Sequence, residues 1–299
     1  MNIQQSFKTM AGDRGEGTLY LVATPIGNLE DMTFRAIRTL KEVQLIAAED
    51  TRQTRKLLTH FEISTRLVSY HEHNKQASGS ELIRLLLDGQ SVALVSDAGL
   101  PAISDPGAEL VAEAVENGIK VVPIPGANAA LSALIISGLK TDKFTFAGFP
   151  PREKKQLTKW LEPLSRQEGT LIFYESPHRL RRTLDALLAA FGDRRMAMIR
   201  ELTKKHEEAA RGSISECAAW LDENSPIGEY CLIIEGIDAA VESGSVQAEA
   251  GQSEQWWDNL DLEAHVAHYE EQYDRKEAIK RTALDRGLPK REVYNEVNR

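Results

Sequence analysis

The sequence predicts an α/β protein built on parallel, helix-covered sheet, with a small helical unit at its C-terminal end. Two observations carry this. Apolar runs and helical patterns alternate from residue 18 to residue 140, which is the signature of a parallel sheet buried on both faces. Two glycine- and proline-punctuated loops, Ser96–Gly107 and Pro123–Asn128, each leave the end of an apolar run and lead into a helical pattern. Such loops sit at strand carboxyl ends, where ligands of open α/β sheets bind.

Taken in order, the first half reads as strand Thr18–Ala23, helix Thr33–Glu42, strand Val43–Ala47, helix Thr51–Phe61, strand Arg66–Ser69 and helix Gly79–Leu87. Strand Ser91–Val95, helix Ala108–Asn117, strand Lys120–Ile124 and helix Ala129–Ser137 complete it. Each strand is a short apolar run rich in β-branched residues, and each helix carries apolar positions at a period near 3.6. Thr141–Pro151 is a joint in which Phe144–Ala147 begins a second sheet. Helix Arg152–Leu161, strand Thr170–Tyr174, helix Arg179–Phe191, strand Arg195–Arg200, helix Ser213–Leu221 and strand Tyr230–Glu235 follow. This second set suggests α/β structure with some antiparallel pairing. The expected domains are therefore 18–143 and 144–236, after a disordered N-terminus 1–17.

Residues 237–255, rich in Ala, Ser, Gly, Glu and Gln, read as a linker. In the tail, 256–299, segments Leu260–Tyr273 and Arg275–Asp285 have helical character, and Lys290–Val297 restarts a helix after Gly287-Leu288-Pro289. Helix, glycine-containing turn and short basic helix outline a helix-turn-helix module. A plain helical hairpin fits the pattern equally well.

With 299 residues and 42% hydrophobic side chains, the chain has material for two medium cores and an appendage. No apolar stretch approaches the roughly 20 residues of a membrane span, and the polar segment Met1–Gly17 lacks the apolar centre of a signal peptide. A cytoplasmic protein without a membrane partner is expected. Two cysteines, Cys217 and Cys231, are too few for a disulfide framework or a four-ligand zinc site. No metal is expected.

The net charge of −9 conceals a division. Residues 212–274 contain fifteen Asp or Glu and no Lys or Arg, whereas residues 152–211 carry fourteen Lys or Arg against nine acids and residues 275–299 carry eight against four. Two basic zones around an acidic one fit a polyanion bound locally, and they fit a pair of solvated surfaces as well.

The first βα loop, Ala23–Thr33, stands where a dinucleotide fold places G-x-G-x-x-G, but it holds one glycine, and Thr24-Pro25-Ile26 puts bulk where bare amides are needed. There is no G-x-x-x-x-G-K-[ST] loop either. The sheet should bind a ligand without a polyphosphate. A nucleoside with a zwitterionic tail fits: apolar Leu100, Ile103 and Ala127 would pack an adenine, backbone amides near Pro25 and Ala127 would bond its edge, and Asp97 would take a hydroxyl or ammonium. S-adenosylmethionine is such a molecule. The alternative for Asp97, and still more for Asp105 before Pro106, is a loop-capping carboxylate.

Six segments, Leu21–Asp31, Ala48–Arg52, Ser96–Gly107, Pro125–Asn128, Phe173–Arg179 and Arg200–Lys204, together resemble the tetrapyrrole methylase superfamily, in the same order from about residue 18 to 236. Within it they are similar to the branch that acts on ribosomal RNA. The resemblance implies two α/β domains of the tetrapyrrole methylase type with a cofactor cleft between them, and a homodimer. It implies S-adenosylmethionine-dependent 2′-O-methylation of a cytidine in the decoding region of 16S rRNA within the 30S subunit. Carried over by motif, Pro25, Ile26, Asp97, Leu100, Ile103, Ala127 and Asn128 would line the cofactor, with Phe173 and Tyr174 covering it from the second domain. The sequence departs from the wider superfamily in its first loop, which is not glycine-rich, and at Ser96-Asp97-Ala98, where Gly-Asp-Pro is usual.

Methyl transfer to a ribose hydroxyl needs an in-line acceptor and a group to take its proton. Glu49, Asp50 and Glu175, all at expected strand ends, are the base candidates. His71 and His73 stand at another strand end and read as a polar loop, because two histidines at i, i+2 without a third ligand do not make a metal site. Arg52, Arg179 and Lys204 are natural phosphate clamps, and Lys290 and Arg291 extend the RNA footprint into the tail. A precorrin- or diphthine-type methyltransferase is the competing enzyme; a non-catalytic ribosome-assembly factor is the competing binder.

Overall fold

The structure, a computed structural model, describes residues 3–4, 17–237, 257, 260–270, 273–286 and 288–297. Apart from residues 3, 4, 17 and 237, the expected disordered N-terminus and the expected linker 237–255 lie outside the described residues.

The first sheet is wholly parallel, in the order β3-β2-β4-β1-β5. Its strands are β1 (Thr18–Val22), β2 (Leu45–Ala48), β3 (Leu67–Ser69), β4 (Val92–Val95) and β5 (Lys120–Ile124). Every residue of β2 and β4 is buried, as expected for central strands covered on both faces. On one face, α1 (Phe34–Glu42) and α2 (Thr51–His60) bury Ala36, Leu40 and Leu58 against Ile46, Ala93 and Val95. On the other, α3 (Lys75–Leu87) and α4 (Ala108–Glu116) bury Leu82, Leu86 and Leu110 against Leu45, Val92 and Leu94. From β1 the chain crosses to β2 on one side, while from β4 it crosses to β5 on the other. The switch point therefore lies among β4, β1 and β5, and their carboxyl ends frame a crevice.

Helix α5 (Ala129–Ser137) follows β5, yet its buried residues Ala130, Ala133 and Leu134 pack on Ile172, Ala197, Ile199 and Ile233 of the second sheet. The two sheets are thereby joined through one shared helix. The second sheet runs β6-β7-β10-β8-β9, from β6 (Phe144–Gly148), β7 (Thr170–Glu175), β8 (Arg195–Arg200), β9 (Glu208–Ser213) and β10 (Tyr230–Ile234). Only β6 and β7 pair in parallel; the other three pairings are antiparallel. Its far face is covered by α6 (Lys154–Leu164), α7 (Leu180–Phe191) and α8 (Ile214–Glu223) around Leu171, Phe173, Met196 and Leu232. A reciprocal capping box between Ser213 and Glu216 starts α8.

Beyond shifts of two or three residues at element ends, three differences from the sequence reading matter. Edge strand β9 was not expected, α3 begins at Lys75 rather than Gly79, and α6 continues past Leu161 through Pro163.

The C-terminal unit, considered alone, consists of α9 (Leu262–Glu270), α10 (Arg275–Asp285) and α11 (Lys290–Val297) around Val266, Ile279 and Val293. The carboxylate of Asp274 caps α10 by accepting from the Glu277 amide. Buried His265 accepts from Arg286 Nε on Nδ1 at 3.0 Å and pairs through Nε2 with Asp285 at 3.2 Å, pinning α9 to the end of α10. Lys290 and Arg291 are exposed at the start of α11. No helix among the described residues is long and apolar enough to cross a membrane.

Candidate active site

The loops after β1 and β4 are tied to each other before either meets a ligand. Thr24 N–H donates to the Gly99 carbonyl at 2.9 Å, Gly99 N–H returns to the Thr24 carbonyl at 3.0 Å, and Thr24 Oγ1 donates to the Ser96 carbonyl at 3.2 Å. Gly99 has φ +77°, and a β-carbon there would touch Ile26 and the Ala127 carbonyl at 3.5 and 3.7 Å. Three loops, carrying Ile26, Gly99 and Ala127, thus converge on one point.

They form one wall of a cleft of about 320 Å³, within the size range of small-molecule sites. Ile26, Leu100 and Ile103 supply apolar surface on this wall, with Asp97, Asp105 and Asn128 among them. The opposite wall comes from the second sheet, through Phe149, Tyr174, Ile199, Lys204 and Cys231. Tyr174 ties the walls together, because its hydroxyl accepts the Ala130 N–H at 3.1 Å at the start of α5. Burial pushes its phenol up to about 12, so it stays a neutral partner. The Cys231 thiol, also pushed up to about 12 by burial, is protonated and unreactive at neutral pH.

Carboxylates give the first wall its electrostatic character. Burial pushes the Asp105 carboxyl up against a hydrogen bond from Ser96, and the charge of Asp97 adds to the rise. Glu49, at the start of the loop after β2 and not among the cleft-lining residues, is raised by its burial and then by the charges of Asp105, Asp97 and Asp50. A region that disfavours its own negative charges favours a cation. Backbone strain accompanies it: Ala102 and Ser104 in one cleft loop, and Glu201 and Thr203 in the other, have φ between +49° and +68°.

The site residues expected from the sequence divide into three groups. Ile26, Asp97, Leu100, Ile103, Asn128 and Tyr174 line the cleft; Pro25 lies beside it in an adjoining groove that also reaches Asp97; Ala127 stands at the loop junction. Asn128 spends its side-chain oxygen capping α5, at 2.8 Å from the Leu131 amide. Asp97 likewise uses one oxygen to accept the Asp50 N–H at 3.1 Å.

Phe173 does not line the cleft. It is fully buried in the far-side core against Trp160 and Phe191, because neighbours in a strand face opposite ways and Tyr174 takes the cleft side.

The carboxylates of Asp50 and Glu175 are committed to partners within the fold. Asp50 caps α2 and holds Arg52 at 2.9 Å; hydrogen bonds from Arg52, side chain first and backbone second, lower its carboxyl to about 2. Glu175 reaches the cleft wall, but its oxygens accept from Ser176 N–H at 2.8 Å, Thr183 Oγ1 at 2.6 Å and Arg179 Nη2 at 2.9 Å.

The expected phosphate clamps of the first unit are all paired, Arg52 with Asp50, Arg179 with Glu175 and Lys204 with Glu201. Arg179 is fixed between Glu175 and the Pro150 carbonyl. Lys204 pairs with Glu201 at 2.9 Å and Glu229 at 3.5 Å, and its stem crosses the space left open by Gly27. Arg52 projects into solvent near Arg55 and Lys56 on α2. Asp105, Phe149, Ile199 and Cys231 line the cleft although the sequence reading did not select them. Asp105 was readable only as a cap, since its burial comes from the fold.

The description Tetrapyrrole (Corrin/Porphyrin) Methylases belongs to a family model that matches residues 18–218, which take in the first sheet and every strand of the second except β10. The chain belongs to this family. This tetrapyrrole methylase is 56% identical over 296 residues to Ribosomal RNA small subunit methyltransferase I of Halalkalibacterium halodurans, covering 99% of this chain and 98% of the relative. The protein of the same name from Bacillus subtilis is 55% identical over 293 residues, covering 98% and 97%. Both matches run through the C-terminal helices.

Among solved structures, a uroporphyrin-III-C-methyltransferase from Thermus thermophilus aligns with TM-score 0.53 at 20% identity, covering 77% of this chain and all of that one. A diphthine synthase aligns with TM-score 0.56 at 14% identity, covering 73% and 90%. Those two likenesses establish the fold.

Members of the family are S-adenosylmethionine-dependent methyltransferases. The cleft fits that donor: apolar side chains for a purine, carboxylates for hydroxyl and cationic groups, and first-loop bulk that disfavours a polyphosphate.

Proposed function

We propose that this chain transfers a methyl group from S-adenosylmethionine to the ribose 2′-hydroxyl of a cytidine in the decoding region of 16S rRNA, acting as a homodimer on the 30S subunit. The observation that carries the reading is the match, over nearly the full length of both chains, to relatives named for small-subunit rRNA methylation. The exposed cations of α2 and α11 support a polyanionic acceptor.

Bound S-adenosylmethionine would supply an electrophilic methyl group. Ile26, Leu100 and Ile103 would hold its purine, and Asp97 and Asp105 its polar and cationic groups. Tyr174, by bonding the start of α5, keeps the two walls in register, which is where positioning contributes most to rate. Of the three acids at strand ends, we assign the proton of the attacking hydroxyl to Glu49, which is not itself among the cleft-lining residues but lies close enough to Asp105 and Asp97 of the cleft to feel their charges. Its raised carboxyl is better matched to neutral pH than that of Asp50, and Glu175 is committed to Arg179 and Thr183.

The test uses 30S subunits reconstituted with 2′-deoxycytidine at the target position. Such subunits should accept no methyl group while otherwise identical ribose-containing subunits do. Methylation of the deoxy substrate would point to chemistry on the base.

A further inference from the structure

Phe149 is 57% exposed, yet the turn that carries it, Gly148-Phe149-Pro150-Pro151, is held from several sides. Gly148 has φ +71°, which a side chain would strain, and the two prolines fix two further φ angles. The Pro150 carbonyl accepts from Arg179 Nη2, and that guanidinium is anchored at 2.9 Å by Glu175, whose side chain is wholly buried. The Phe149 ring lines the cleft and meets Tyr174 edge-on at 5.4 Å. The turn also adjoins the other wall, since a β-carbon on Gly148 would lie 3.6 Å from Ser104 Oγ. A water-facing aromatic ring is thus fixed at the seam between the walls.

We infer that Phe149 is the stacking platform for the acceptor nucleobase. The inference rests on the reading of RNA as substrate. A ribose within stacked RNA does not present its 2′-hydroxyl inside a cleft, so the nucleotide must leave its stack, and an aromatic face offsets the stacking it loses. Charge cannot hold the nucleotide on the first wall, where Asp97 and Asp105 oppose a phosphate. Stacking accepts any base. Phe149 therefore positions the nucleotide without choosing it.

Full-length Phe149→Ala, Phe149→Leu and Phe149→Trp variants would be assayed with labelled S-adenosylmethionine and unmethylated 30S subunits, and donor affinity would be measured by calorimetry. In the Ala and Leu variants, kcat/KM for the subunits should fall roughly tenfold to a hundredfold, the range that loss of one base–aromatic stack implies. Trp should restore most of it, and the donor Kd should stay within about twofold throughout. A Leu variant with wild-type kcat/KM, or a parallel loss of donor affinity, overturns the inference while leaving the RNA reading intact. A wild-type chain that transfers nothing to 30S subunits overturns that reading, and this inference with it.

Discussion

At the residue scale, the site depends on which carboxylates are occupied by the fold. Asp97 has two tasks, because one oxygen receives the Asp50 amide while the side chain also lines the cleft. Asp97→Asn retains an acceptor for that amide and removes the charge. The variant should keep its thermal midpoint within a few degrees and lose about tenfold in S-adenosylmethionine affinity by calorimetry, consistent with one charged hydrogen bond. Unchanged affinity would take Asp97 out of the donor site. Glu49 gives a prediction with a definite sign. Its carboxyl is raised in the folded state, so the stability it contributes is fully present below the unfolded value and is lost as pH rises through the folded one. Glu49→Gln should therefore melt above wild type at pH 8, and the difference should vanish by pH 4. A difference that grows on acidification would reverse the assignment. The same residues show what the sequence left illegible: Asp50 and Asp105 both stand before helices, and only the fold decides that one caps α2 and the other lines the cleft half-buried.

At the element scale, the buried pair on the turn between β7 and α7 replaces the expected phosphate clamp. Arg179→Met would leave the Glu175 carboxylate buried without its cation, a change that costs about 3–5 kcal/mol. Denaturant unfolding should show a loss of that size, while the salt dependence of RNA binding stays as in wild type. A flattened salt slope without destabilisation would restore Arg179 as a clamp. Strand parity is legible in the sequence: period-2 alternation puts Phe173 and Tyr174 on opposite faces, and Tyr174 takes the cleft side. The parallel sheet was legible because wholly buried strands such as β2 and β4 are continuous apolar runs. Strand β9 was not, because Glu208–Ser213 lacks alternation and its pairing with β8 is a tertiary effect that overrides local preference. The packing of α5 on the second sheet was equally hidden, since a helix apolar on every side does not announce which sheet it covers.

At the scale of the whole molecule, the order of motifs disclosed the family, while the charge division that net charge conceals set two basic zones around an acidic one. Lys290 and Arg291 open α11 on an exposed face. Replacing both with Ala should weaken binding to 30S subunits and reduce the slope of log affinity against log salt by roughly one to two units, somewhat under one for each lost phosphate contact. Donor affinity should not change. Unaltered slope and affinity would make α11 a packing element and place the RNA footprint on the cations of the first unit. The central claim, that this cleft methylates a ribose of small-subunit RNA, is tested most directly by incubating the chain with labelled S-adenosylmethionine and either naked 16S rRNA or 30S subunits, then mapping the labelled nucleotide. The account predicts one methyl group, on the 2′-oxygen of a cytidine in the decoding region, with 30S subunits the better acceptor. Label on a nucleobase, or no label in RNA of either form, would contradict it.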